Sequence, residues 1–204
     1  RKKYIVINYM NNYFTGDFEI DSALMYDYLD DLELKTGNER SGTKFFNKEK
    51  GSNKPESCKV GITWRKRRGD FEREYDPIAK GYKTKLNEEC PHLMPLFKEY
   101  QKHHFPTFEW SEITINRMPT GSRIKSHLDK INVGDSVLVA FGDYTGGMTY
   151  VKNKNDRNFE IHDCRVAPIK FNGAERMHGV TTISSGKRFS LVFYKNKSKP
   201  IEPY

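Results

Sequence analysis

At 204 residues the chain has the length of one domain and enough sequence to enclose a sizeable core. A formal charge of +8, from 35 Lys and Arg against 27 Asp and Glu, favours an anionic partner such as nucleic acid. No apolar run has the length that a membrane-spanning helix needs, and no signal-like apolar stretch follows Arg1-Lys2-Lys3, so the reading is an intracellular protein with no membrane partner.

In chain order, Lys3 to Tyr9 has the composition of a first strand. Asp21 is placed to cap a helix whose Leu24, Met25, Tyr28, Leu29 and Leu32 form a packing stripe before Gly37. Residues 36–57 are polar and rich in Lys, Gly, Ser and Asn, which predicts a long loop, either mobile or a lid. Val60-Gly61-Ile62-Thr63 reads as a strand. The cluster Trp64-Arg65-Lys66-Arg67-Arg68 follows it, and reads as phosphate-contacting or as a solvated hairpin tip. A second helix is predicted over 91–103, with Pro95 either distorting it or marking its true start.

From Trp110 the texture changes to short β-prone runs separated by Gly, Asn and Pro. Strands are predicted near 111–117, 123–129, 136–141, 147–152, 158–162, 165–171, 177–182 and 187–195, which suits a two-sheet jelly roll. Asn153 to Asp156 reads as a hairpin turn and Phe171 to Ala174 as the turn ahead of His178. The fold class is therefore mainly β with flanking helices. The chain is read as a single domain, with 1–108 a supporting and substrate-recognition region and 109–197 the catalytic core. Cys58, Cys90 and Cys164 are odd in number, lack CxxC spacing, and read as reduced thiols.

The chemistry concentrates in this β-rich half. His127 and Asp129 are two residues apart, so an extended backbone would project both from one face. With His178 they supply two imidazoles and a carboxylate, the set that holds Fe(II) on one face and leaves the opposite positions open. Ten residues later comes Arg188-Phe189-Ser190, on an apolar β-prone run that ends at Tyr194. A guanidinium fork with a hydroxyl on the same face suits a carboxylate, so the implied ligand is a dicarboxylate with one end on iron and the other on Arg188. His92, His103, His104 and His162 lie outside this pattern and carry no metal role.

This ordered constellation, over roughly residues 109–196, resembles the 2-oxoglutarate and Fe(II)-dependent dioxygenase superfamily, whose core is a double-stranded β-helix. The resemblance implies iron on His127, Asp129 and His178, with 2-oxoglutarate on Arg188 and Ser190, O2 as co-reactant and ascorbate as reductant. The stretch from Ile115 to Lys130 is similar to that of AlkB-type nucleic-acid demethylases, which implies a 2-oxoglutarate contact for Asn116. Met118, Ile131 and Tyr194 depart from the AlkB pattern. Gly146-Gly147 is instead similar to the turn of prolyl-hydroxylase-like members and of the TET and J-binding-protein group. The expected function is hydroxylation or oxidative demethylation of a base in DNA or RNA, with Trp64, Arg65, Lys66, Arg67 and Arg68 on the substrate. The alternatives are a protein side-chain hydroxylase and a catalytically silent jelly-roll binding module.

Overall fold

The computed structural model describes residues 13–32, 45–46, 55–63, 75–76, 81–84, 86, 89–155 and 157–196. The predicted strand at Lys3 to Tyr9, the cluster at Trp64 to Arg68 and most of the predicted loop at 36–57 lie outside them.

Two helices, α1 (Phe18–Asp31) and α2 (Leu93–His104), accompany thirteen strands among the described residues. The strands are β1 (Phe45–Phe46), β2 (Glu56–Thr63), β3 (Tyr75–Asp76), β4 (Gly81–Lys83), β5 (Glu112–Pro119), β6 (Arg123–His127) and β7 (Asn132–Phe141). They continue with β8 (Tyr144–Gly146), β9 (Thr149–Lys152), β10 (Phe159–His162), β11 (Ile169–Phe171), β12 (His178–Val180) and β13 (Ile183–Asn196). One antiparallel sheet has the order β1-β6-β12-β9-β10. The other runs β11-β7-β13-β5-β2-β4-β3, with β8 paired to β13. From β5 to β13 the chain passes back and forth between the two sheets, staying in the larger one from β7 to β8 and in the smaller one for the β9–β10 hairpin, which is the winding of a double-stranded β-helix.

The period-2 alternation of the larger sheet sorts its side chains between two environments. On β13, Phe189, Leu191 and Phe193 join Ile113 and Ile115 of β5 and Val137, Val139 and Phe141 of β7 in one buried cluster with Met25 and Leu29 of α1 and Leu93, Leu96, Phe97 and Tyr100 of α2. A fully buried Phe such as Phe193 contributes about 2–3 kcal/mol by transfer from water. The intervening residues Arg188, Ser190, Val192 and Tyr194 line a cavity between the sheets. The segment of β13 from Phe189 to Tyr194 is covered on both faces, and there only Ser190 interrupts an apolar run.

Several expectations need correction. Asp17 caps α1, not Asp21: Asp17 has extended backbone and its carboxylate accepts from the Glu19 and Ile20 N–H groups. Asp21 sits in the first turn, fully buried, where it accepts from Thr15 N, Thr15 Oγ1 and Gly16 N and meets His104 Nε2 at 2.9 Å. Arg117 of β5 caps the other end of α1, donating to the carbonyls of Leu29 and Leu32. Pro95 falls in the first turn of α2, where its missing N–H has no helical partner to lose. The predicted loop to residue 57 ends earlier, since β2 begins at Glu56, and β1 within it pairs with β6. No disulfide links Cys58, Cys90 and Cys164. No helix among the described residues is long and apolar enough to cross a membrane.

Candidate metal centre

On neighbouring antiparallel strands β6 and β12, His127 stands directly opposite His178, and their ring centroids are 4.3 Å apart. The strand predicted over 123–129 is two residues shorter, since β6 ends at His127. The following turn presents the carboxylate instead, with the Asp129 N–H donating to the Gly173 carbonyl at 2.8 Å. Asp129 Oδ1 lies 3.7 Å from His127 Nε2 and Oδ2 lies 3.4 Å from His178 Nε2. One ligand atom from each of the three residues falls within 4.8 Å of the other two.

Backbone carbonyls orient both rings. His127 Nδ1 is 2.8 Å from the Lys125 carbonyl and His178 Nδ1 is 2.9 Å from the Arg176 carbonyl. A carbonyl oxygen only accepts, so each Nδ1 carries the hydrogen and each Nε2 keeps a lone pair for a metal. Gly173 makes the close approach possible: a Cβ there would sit 3.3 Å from His178 Cε1 and 3.6 Å from Asp129 Oδ2. Phe171 covers the other flank of His178, edge to face, with centroids 4.9 Å apart.

A cavity of about 330 Å³ runs from these three residues to Arg188. Arg188 is fully buried, yet no carboxylate pairs with it among the described residues. Its Nη2 donates to Thr149 Oγ1 at 3.2 Å, Nη1 faces the Met118 sulfur at 3.8 Å, and buried Nε has no hydrogen-bond partner. The nearby Asp163 is engaged by Arg165 at 2.7 Å, a bond that holds its pKa below the usual carboxylate value. Tyr144 lies beside Arg188, and burial pushes its phenol pKa up. Gly147, at φ +62°, leaves room for the guanidinium stem, since a Cβ there would lie 3.1 Å from Arg188 Cδ. A buried cation with neutral partners costs several kcal/mol, which an incoming carboxylate would offset.

Ser190 lies on the same wall as Arg188 and accepts from Asn116 Nδ2 at 3.2 Å across the β13–β5 pair. The cavity thus brings together His127, Asp129, His178, Asn116, Arg188 and Ser190. Trp64, Arg65, Lys66, Arg67 and Arg68 lie outside the described residues.

Sequence reasoning missed the rest of the polar lining. Thr149 holds the Arg188 guanidinium. Tyr194 Oη donates to fully buried Glu112 at 2.8 Å, Lys59 Nζ meets the same carboxylate oxygen at 2.9 Å, and Thr114 Oγ1 lies 3.2 Å from Tyr194 Oη. The available signal was the alternation Glu112, Thr114, Asn116, which places polar groups on one face of β5.

No family model matches the chain. The Tet-like dioxygenase 1 of Naegleria gruberi is 32% identical over 85 residues, which span 41% of this chain and 26% of that protein. The chain therefore matches about a quarter of that relative's length. The solved structure of NgTET1 in complex with 5mC DNA is similar with a TM-score of 0.46 and 15% identity, covering 72% of this chain and 63% of that one. A Pseudomonas putida prolyl-4-hydroxylase has a TM-score of 0.47 and 12% identity, covering 91% and 89%. The name of the Naegleria relative is that of a dioxygenase, the class that the residues resemble.

Proposed function

We propose that this chain is an Fe(II)- and 2-oxoglutarate-dependent dioxygenase that hydroxylates or oxidatively demethylates a base in nucleic acid. The observation that carries the reading is a cavity with an imidazole–carboxylate–imidazole cluster at one end and, at the other, a buried guanidinium with no counter-ion among the described residues. The donor set fits iron: two neutral imidazole nitrogens and one carboxylate. Support for a nucleic-acid substrate comes from the charge of +8 and from the resemblance of residues 115–130 to AlkB-type demethylases.

His127, Asp129 and His178 hold the metal in this reading. Arg188 forks the distal carboxylate of 2-oxoglutarate, Ser190 adds a hydrogen bond, and Asn116 fixes Ser190 while facing the same cavity. Thr149 keeps the guanidinium from turning away. Fe(II) with 2-oxoglutarate and O2 would supply the oxidation of an unactivated C–H bond, a reaction beyond the reach of any side chain here. The chain's part is to orient that chemistry and to keep water out of an enclosed site. Residues 109–197 form the catalytic core of the proposal, and 1–108 form the supporting and substrate-recognition region, in which Trp64 to Arg68 contact phosphates. An intracellular setting keeps the three thiols reduced and Fe(II) available.

The test is incubation with Fe(II), ascorbate and 2-oxoglutarate, followed by mass spectrometry of nucleosides from DNA and RNA and of peptide substrates, with succinate measured in parallel. An oxidised base that is lost in His127→Ala is the expected result. Oxidised peptide with untouched nucleosides would transfer the assignment to protein side-chain hydroxylation. Absence of succinate would remove the dioxygenase reading altogether.

A further inference from the structure

Behind the distal histidine lies a second cleft, of about 560 Å³, between the β9–β10 hairpin and the loop ahead of β12. Lys152, Lys154 and Arg157 line it together with Asn153 and Asn155, while Glu175 contributes a carboxylate at the edge and Asp156 lies outside the described residues. None of the three cations forms an ion pair among the described residues. Arg176, the fourth, is already engaged: its Nε donates to the Lys152 carbonyl at 2.7 Å and its Nη2 meets Glu160 at 3.1 Å.

The walls are tied together and to the metal centre. Lys152 N–H donates to the Met177 carbonyl at 2.7 Å, and Asn153 N–H donates to the Asn158 carbonyl at 2.9 Å. The Arg176 carbonyl that orients the His178 ring belongs to this same loop. The cleft and the metal centre therefore share the segment 176–178.

We propose that this cleft binds the phosphate backbone of a nucleic-acid strand. It deepens the function proposed above and rests on that reading. Two ammonium groups and a guanidinium that form no ion pair among the described residues, with Glu175 as the one carboxylate among the described lining residues, offer hydrogen-bond donors of varied geometry to phosphate oxygens. Such donors position a strand without reading its sequence. The loop that walls the cleft leads directly into His178, so a strand held there is tied through that segment to the metal centre, where a base would have to leave the stack to react. Three cations against the single Glu175 carboxylate leave the described lining net positive, in the same sense as the chain's overall charge.

The experiment measures the dissociation constant of a labelled single-stranded DNA oligonucleotide across NaCl concentrations, for wild type and for Lys152→Gln/Lys154→Gln/Arg157→Gln. Each cation–phosphate pair accounts for about 0.7 of the log–log salt slope, so the triple variant should have a slope smaller in magnitude by about 2, and affinity at low salt should fall at least tenfold. Far-UV circular dichroism and the metal-induced shift in Tm monitor the fold. If the triple variant fails to fold, Lys154→Gln/Arg157→Gln, both exposed near the hairpin tip, takes its place with an expected decrease of about 1.4. A wild type that binds with a slope unaltered in the variant overturns the cleft while leaving the nucleic-acid reading intact. A wild type without affinity at low salt overturns that reading and the cleft with it. Displacement of the oligonucleotide by polyglutamate of equal charge, as effectively as by unlabelled DNA, overturns phosphate as the ligand.

Discussion

Arg188 is a costly side chain to leave without a counter-ion, and that cost makes its role measurable. Its neighbours Thr149 and Met118 are neutral, and Nε is unsatisfied. Replacing an unpaired buried charge by an apolar side chain of similar length is stabilising in the empty protein, so Arg188→Met should raise stability without ligand by on the order of 1–3 kcal/mol. The same variant should lose the rise in Tm that 2-oxoglutarate gives the wild type. Differential scanning fluorimetry with and without 2-oxoglutarate decides, and an Arg188→Met protein less stable than wild type when both are empty would show that the cation is already compensated. Arg188→Lys tests geometry separately from charge. It keeps the charge but loses the fork, and the KM for 2-oxoglutarate should rise at least tenfold. At the metal centre, Asp129→Ala removes the carboxylate placed between the imidazoles, and should abolish iron retention and succinate release while the circular dichroism spectrum persists.

At the scale of elements, the junction of α1 and α2 is held by a buried polar contact that carries a pH signature. Burial tends to raise the pKa of Asp21, but hydrogen bonds from the Thr15 and Gly16 backbone, the Thr15 hydroxyl and His104 outweigh it, leaving the carboxyl below its ordinary value of 3.8. His104 is lowered from 6.5, chiefly by burial, against the opposing pull of Asp21. Both pKa values are depressed in the folded state, so the unfolded chain binds more protons on acidification. The stability that these groups contribute is complete above pH 6.5 and declines below it, first as His104 is forced to protonate and then, below 3.8, as Asp21 does. Urea titrations from about pH 7.5 to 4.5 should show a falling midpoint in wild type and a flatter one in His104→Gln; equal pH slopes would refute the coupling. None of this was legible in the sequence, where Asp21 has the look of a cap and His103 and His104 stand out only as lying outside the metal pattern. Burial and an 83-residue separation decide the contact, and neither leaves a local pattern. Most strands from residue 110 onward were legible because alternation and Gly, Asn and Pro punctuation are local, whereas the two- and three-residue strands β1, β3 and β4 were not. Even there, β6 ends at His127 although the spacing suggested extension through Asp129, since the bond to the Gly173 carbonyl fixes that turn from another strand connection. β8 was unforeseen for a related reason: it is three residues long and exists by pairing with β13.

Across the whole molecule, the two ends of the cavity belong to different sheets. His127 and His178 stand on β6 and β12 of the smaller sheet, whereas Arg188 and Ser190 stand on β13 of the larger. A dicarboxylate that reaches from the metal to Arg188 therefore bridges the two layers, and its binding energy adds to the packing that keeps them together. Any ligand bound only by the folded state stabilises it by RT ln(1 + [L]/Kd), about 2.7 kcal/mol at a hundred times Kd. If metal and 2-oxoglutarate share one bound arrangement, as proposed, each should tighten the other by the same factor. The shift in Tm with Mn(II), a redox-quiet stand-in for Fe(II), and 2-oxoglutarate together should then exceed the sum of the separate shifts in wild type. Arg188→Met should keep the metal shift and lose the extra; Asp129→Ala should lose both, because the dicarboxylate then has no metal to chelate. Strictly additive shifts in wild type would mean that metal and 2-oxoglutarate bind independently, and the cavity would have to be read as two separate sites.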